Sequence, residues 1–236
     1  MNLFRYLFIP LSLIVLCSCT EGPNLAEKRE AMIKEQLIWR DITDSKIIEA
    51  MKNVPREEFV PTRYKSRAYD DVEVPIGWGE TNNRPYEDAL VSMSLEISPD
   101  NKVLEIGTGS GLQASIISKL AKHVYTIEIM PEIAKYADDN IKRVGIKNIS
   151  IKVGDGFYGW PEFAPFDVIF MSASPPQIPK ELIDQLSDDG RLLAPVGGNE
   201  KFQTWSLYKK KDGKLIKIRD LAPTTFIPMK GKILEK

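Results

Sequence analysis

The chain has 236 residues, 43% of them hydrophobic and 28% charged, with a formal net charge of −1. That length suits one ordinary domain with a full core, and the balance fits a globular body rather than a disordered or fibrous one. The near-neutral total lacks the broad basic field that nucleic-acid binding uses.

The N-terminus differs from the rest. Arg5 precedes an apolar run from Tyr6 to Leu16, followed by Leu16-Cys17-Ser18-Cys19. The run is short for a bilayer span and reads as the apolar region of an export signal. Leu-x-Ser-Cys resembles a bacterial lipobox, whose cysteine becomes the lipidated first residue of the mature chain. Cys19 fits that role; Cys17 follows Leu16 rather than a small residue. Residues 1–19 are thus expected to be a signal peptide and 20–25 a tether, with an uncleaved N-terminal helix as the competing reading. Both cysteines lie here, so the folded part can form no intramolecular disulfide. This predicts a membrane-anchored lipoprotein, periplasmic or at the outer surface.

Beyond the tether, residues 26–236 read as one compact domain. Amphipathic spacing predicts a helix over Leu25–Arg40 and a second over Asp44–Asn53, stopped by Pro55. The stretch from Pro55 to Gly79 is rich in Pro, Gly and aromatics without sustained periodicity. Function is one usual reason for so long an irregular segment. A helix over Tyr86–Leu95 then closes an N-terminal, substrate-side region, 26–100. From residue 101 strands and helices alternate. Strands are expected over Lys102–Ile106, His123–Ile129, Ile149–Val153, Phe166–Met171 and Gly190–Val196. Helices are expected over Leu112–Ala121, Pro131–Val144 and Pro179–Leu186, and a hairpin over Gln203–Leu221. Lys209-Lys210-Lys211 before Asp212-Gly213 reads as that hairpin's solvated tip. The order implies an α/β, doubly wound, mostly parallel sheet with a C-terminal antiparallel hairpin. Ligands of such sheets bind at the carboxyl ends of strands, near the switch in strand order.

Glu105-Ile106-Gly107-Thr108-Gly109-Ser110-Gly111 lies where the first of these strands turns into its helix. Its spacing is G-x-G-x-G; the dinucleotide fingerprint G-x-G-x-x-G would need glycine where Leu112 stands. The turn suits a nucleoside without a pyrophosphate. Glu128, ending the second strand, can accept from both ribose hydroxyls. Asp155, in Gly154-Asp155-Gly156, can accept from an exocyclic amine. Three acidic groups at successive strand ends suit a cationic ligand without phosphate, and S-adenosylmethionine carries a sulfonium, an amine and a ribose. No metal site is indicated. His123, the sole histidine, stands at a strand start and reads as structural.

The stretches AMKNVPREEFVP, AYDDVEVPIGWGET, KVLEIGTGSG, VYTIE, GDGFYGWPEFAPFDVIF, PPQIPKELIDQL and DDGRLLAPVGG together resemble protein-L-isoaspartate O-methyltransferases. The likeness runs in order through residues 30–230. It implies a Rossmann-like class I methyltransferase fold with a seven-stranded-type sheet, S-adenosylmethionine as donor, and isoaspartyl residues of damaged proteins as acceptors. It also implies a cytoplasmic location, where the donor is supplied, against the lipobox. Carried over by position, the cofactor residues are Glu105, Gly107, Thr108, Gly109, Ser110, Gly111, Glu128, Asp155 and Gly156. A monomer is expected.

The family's acceptor loop typically reads G-Q-T-I-S-Q-P-Y; residues 79–86 read GETNNRPY. Thr81, Pro85 and Tyr86 match. Asn83 occupies the serine's place, and Arg84 brings a cation able to pair with an acceptor carboxylate. Thr81, Asn83 and Arg84 are therefore the candidate acceptor-site residues. Lesser departures are Leu112, where tyrosine is usual, and Ser172-Ala173-Ser174, where Thr-Ala-Ala is usual. Ser174-Pro175-Pro176-Gln177 also resembles the Asn/Asp-Pro-Pro-aromatic motif of N-methyltransferases, but Gln177 supplies no ring. Two readings compete with the leading one: a methyltransferase of the same fold with another acceptor, and a non-catalytic nucleoside-binding lipoprotein.

Overall fold

The computed structural model describes residues 24–197 and 203–234. The expected signal peptide, Cys19 and most of the expected tether lie outside the described residues. Asn24 and Leu25 already belong to the fold. Asn24 caps helix α1 (Leu25–Ala31) by accepting from the Glu27 amide at 2.9 Å, while the Glu27 carboxylate accepts from the Asn24 amide at 3.2 Å. The helix widens to π geometry over Met32–Leu37 and tightens to a 3-10 turn over Ile38–Arg40, where Asp41 stops it with φ of 65°. Helix α2 (Ser45–Asn53) is capped by Asp44 and ends ahead of Pro55.

The segment expected to be irregular holds 3-10 turns over Arg56–Phe59 and Thr62–Arg67, then a small antiparallel sheet. Strand β1 (Val74–Gly77) pairs with β2 (Glu80–Asn82) across a turn at Trp78-Gly79. These strands are short, and Pro75 and Gly77 interrupt the first. Helix α3 (Pro85–Ser94) follows, with proline at its first position, where no amide is needed.

The main sheet contains β3 (Lys102–Ile106), β4 (His123–Glu128), β5 (Ile149–Val153), β6 (Phe166–Met171), β7 (Leu186–Val196), β8 (Gln203–Lys211) and β9 (Lys214–Thr224). Its order is β5-β4-β3-β6-β7-β8-β9. The first five are mutually parallel, and β8 and β9 run antiparallel. Helices α4 (Leu112–Ser118), α5 (Pro131–Arg143) and α6 (Lys180–Gln185) cover its faces. Strand β7 begins directly after α6, earlier than the expected Gly190, and β9 runs past Leu221. The hairpin turns at Asp212-Gly213 with φ of 50° and 73°. Its basic run is more than solvated: Lys209 pairs with Asp189 at 2.7 Å and Lys210 donates to the Leu186 carbonyl at 2.6 Å.

The chain winds outward from β3 through β4 to β5, then returns past β3 to β6. The switch point therefore lies between β3 and β6, and their carboxyl ends open a crevice. Strand β3 is central, with Val103, Leu104 and Glu105 fully buried. The N-terminal elements pack Met32, Leu37 and Phe59 against Leu112, Ile116 and Ile141 of α4 and α5, which brings the β1–β2 hairpin to that crevice.

Candidate active site

At the switch point lies a cavity of about 460 Å³. Its floor is the glycine turn after β3. Gly111, the N-cap of α4, has φ of 83°, and a Cβ there would stand 2.8 Å from the Ile141 Cδ1. Only glycine fits both the backbone angle and the packing. Glu128, at the end of β4, is 7% exposed; its carboxylate accepts from the amides of Gly109 and Met130, each at 3.1 Å. These bonds hold the carboxylate at the cavity wall. Glu105 is fully buried and lines the cavity beneath. Its Oε2 accepts from the Thr126 hydroxyl at 2.6 Å, which lies 2.7 Å from that of Thr108. Its Oε1 has no hydrogen-bond partner, and burial pushes the carboxyl up to about 8. A buried, unpartnered carboxyl oxygen beside a cavity suits a donor or positive charge that arrives with a ligand.

Of the residues expected to hold the cofactor, Glu105, Gly107, Thr108, Gly109, Ser110, Glu128 and Gly156 line this cavity. Gly111 sits behind them in the turn. Asp155 is not among the residues that line the cavity. Its Oδ1 accepts from the Phe157 amide at 2.9 Å and its Oδ2 from the Lys232 amide at 2.7 Å, so the C-terminal segment packs against it. Gly231, with φ of 95°, lies so close that a Cβ there would stand 2.4 Å from Asp155 Oδ2. Gly156 is the part of this turn that faces the cavity.

The opposite wall is the stretch Glu80 to Arg84. Thr81, Asn83 and Arg84, the expected acceptor-site residues, all line the cavity. Asn82 has a different task. Buried at 6% exposure, it donates to the Phe59 carbonyl at 2.9 Å and accepts from the Ser110 hydroxyl at 2.6 Å. It thus ties the acceptor wall to the glycine turn. Arg56, which the sequence did not mark, holds the other side. It is buried, donates to the Ala68 carbonyl at 2.9 Å and the Asn83 carbonyl at 2.8 Å, and pairs with Asp88 at 2.5 Å.

A third wall also escaped sequence reading, the strap from Pro223 to Lys230. The Ser174 amide donates to the Ile227 carbonyl at 3.0 Å, and the Met229 amide to the Ser174 carbonyl at 2.8 Å. Met229 is buried, and Lys230 reaches across to pair with Glu80 at 3.3 Å. The strap has no helical or strand period, so only its proline and aromatic residues hinted at a fixed path. The Ser174 backbone holds it and the Ser174 hydroxyl is buried; Ser172 and Ala173 line the cavity and Ser174 does not. That removes the footing for an N-methyltransferase motif at Ser174. His123 lies at the opposite end of β4, where it bonds Ser150 at 2.9 Å and packs on Tyr125. Among the described residues, no group of three or more His, Cys, Asp or Glu side chains could hold a metal ion.

Two of the lining side chains are cationic, Arg84 and Lys230. Lys230 is paired with Glu80, while Arg84 forms no ion pair within 4.0 Å among the described residues. Burial raises the Glu87 carboxyl next to it, and the charge of Arg84 acts against that rise. The cavity therefore has an acidic cofactor-side floor and one uncommitted guanidinium on the facing wall.

Comparison with known proteins agrees. The family model described as Protein-L-isoaspartate(D-aspartate) O-methyltransferase (PCMT) matches residues 27–234. A relative from Nitrosococcus oceani named Protein-L-isoaspartate O-methyltransferase 2 is 43% identical, covering 87% of this chain and 93% of its own. Protein-L-isoaspartate O-methyltransferase 1 from Cupriavidus necator is 38% identical, covering 98% of this chain and 93% of its own. A solved protein-L-isoaspartate O-methyltransferase superposes with a TM-score of 0.78 at 31% identity, over 87% of this chain and 67% of that one. The chain belongs to the protein-L-isoaspartate(D-aspartate) O-methyltransferase family.

Proposed function

We propose that this protein is an S-adenosylmethionine-dependent methyltransferase that esterifies the free carboxylate of isoaspartyl residues in damaged proteins, a repair reaction. The observation that carries the reading is one cavity joining two walls. Glu105 and Glu128 stand on its cofactor side, and Thr81, Asn83 and Arg84 on its acceptor side. When bound, S-adenosylmethionine supplies an electrophilic methyl group on a sulfonium.

The residues present fit that group. Glu128, held by two backbone amides, suits ribose hydroxyls, and the unpartnered Oε1 of Glu105 suits a donor or positive charge. An isoaspartyl α-carboxylate has a pKa of roughly 3.5, so it is an anion at pH 7 and needs no general base. The protein's task is placement. Arg84 draws the carboxylate into the cavity, and the hydroxyl of Thr81 and amide of Asn83 orient it. Arg56 and Asn82 keep that wall in position, and the strap keeps water out.

The test is transfer of radiolabelled methyl groups to an isoaspartyl peptide and to its ordinary aspartyl counterpart. Labelling of the first alone supports the reading; absence of labelling at saturating cofactor overturns it. One observation favours a second reading, the same chemistry on another acceptor: Asn83 and Arg84 replace the residues usual in the family. Asn83→Ser separates them, since a large gain on isoaspartyl peptide rules out the other acceptor.

We also propose that the N-terminal segment directs export and that Cys19 carries a lipid, leaving a monomeric catalytic domain tethered to a membrane. The apolar run and Leu16-Cys17-Ser18-Cys19 support this. Lipid labelling of the wild type but not of Cys19→Ala is the expected result; an unlabelled wild type removes the anchor.

A further inference from the structure

A second cavity, of about 190 Å³, adjoins the first. The two share Arg84, Glu87 and Pro223, so they are compartments on either side of a common wall. The smaller one has an apolar interior formed by Leu90, Trp205, Ala222 and Tyr86. Arg40 stands at its edge, 3.6 Å above the Tyr86 ring and paired with Asp71 at 3.0 Å. On the same turn, Ile38 and Trp39 are 44% and 67% exposed.

We propose that this second cavity is a side-chain subsite of the acceptor polypeptide, receiving an apolar residue next to the isoaspartyl position. The proposal rests on the main cavity being the isoaspartyl site. Three observations carry it. The compartments share a wall, and successive residues of an extended chain advance only about 3.3–3.6 Å. A carboxylate at Asn83 and Arg84 therefore leaves its neighbour within reach of Tyr86 and Leu90. Next, the formal charges around the second cavity sum to zero, Arg40 being paired with Asp71 and Arg84 lying beside Glu87 without forming an ion pair. Little net charge remains to select an ion, and burial of apolar surface is the gain on offer. Finally, Ile38 and Trp39, on the same turn as Arg40, are exposed apolar side chains that a flanking chain can cover.

The test is a set of isoaspartyl peptides carrying Leu, Gly, Glu or Lys on either side of the modified residue. Leu on one side is expected to lower KM by about tenfold relative to Gly, the scale of burying part of one aliphatic side chain, with kcat unchanged. Glu and Lys are expected to behave like Gly. Ala222→Phe, which fills the cavity, and Leu90→Ser, which makes it polar, should each bring the Leu-to-Gly ratio of KM close to one. The second variant covers the case in which the first does not fold. Equal KM for Leu and Gly peptides in the wild type overturns the subsite while leaving the isoaspartyl reading intact. So does a Leu preference that survives either substitution in folded protein. No methylation of any peptide overturns the isoaspartyl reading, and the subsite falls with it.

Discussion

The two sides of the main cavity are built differently. The cofactor side comes from adjacent parallel strands in unbroken register, Glu105 beside Thr126 and Ile106 beside Ile127. Its functional groups sit where strands end, and sheet hydrogen bonds fix them. The acceptor side is assembled from a 3-10 turn, a two-stranded hairpin, the start of α3 and a strap. The ties that hold it are long-range: 27 residues separate Arg56 from Asn83, and 150 separate Lys230 from Glu80. The acceptor side also carries Asn83 and Arg84, the departures that alter its chemistry most, beside the lesser ones at Leu112 and Ser172. A wall resting on a few side-chain ties can change its wording without disturbing the sheet that holds the cofactor.

The sharpest way to break this comparison is at Arg56. Arg56→Met leaves the Asp88 carboxylate buried without its cation, with only the Asn83 side chain beside it, which costs about 3–5 kcal/mol. Thermal unfolding should fall by roughly 10 °C or more. An unchanged melting temperature would mean that the acceptor wall stands without its central tie. Next in size is Glu128→Gln on the cofactor side. Losing a charged acceptor is worth about 1.5–3 kcal/mol, or roughly ten- to a hundredfold in cofactor affinity by calorimetry. The KM for isoaspartyl peptide should stay as it was; a parallel rise would show that the sides are not independent.

Glu105 gives a smaller, pH-dependent signature. Its carboxyl, raised to about 8 by burial, is mostly protonated in the free protein at pH 7. A cationic ligand favours the ionised form, so binding should release a proton, and affinity should climb as pH rises toward 8. Calorimetry in buffers of different ionisation enthalpy checks this, and binding without proton release would contradict it. The sign for folding is opposite. A carboxyl raised by burial favours the folded state at pH below its unfolded value, roughly 4.3, and that advantage is lost as pH rises toward 8. Glu105→Gln should therefore stabilise the ligand-free protein most at alkaline pH. The smallest effect belongs to Lys230→Ala. A partly exposed pair contributes at most about 1 kcal/mol, so stability should barely move. Cofactor release, followed by stopped flow, should nonetheless quicken, because the strap loses its tie to Glu80. An unchanged release rate would show that the Pro223–Lys230 wall does not gate the cavity.

Legibility followed the same division. Strands β3, β4, β5 and β6 fall within a residue of their expected bounds, since short apolar runs followed by Gly, Pro or acidic residues have little else to become. The glycine turn and Glu128 were readable because their task is local to a strand end. Residues 55–79 looked irregular because β1 and β2 are too short, and too broken by Pro75 and Gly77, to show alternation. Asp155 was legible only in part for a related reason: its position after β5 is local, but the segment that bonds it arrives from Lys232.

The amino-acid sequence by itself therefore determined the alternating strands and helices, the glycine turn and the acidic strand ends, because each depends on backbone preferences within a few residues. Only the tertiary structure decided that Arg56 and Asn82 anchor the acceptor wall and that residues 223–230 close it. It also brought the Lys232 amide to Asp155 and opened a second cavity behind Arg84. Those outcomes depend on which polar groups are buried together, and a buried donor takes whatever partner the packed chain brings within reach.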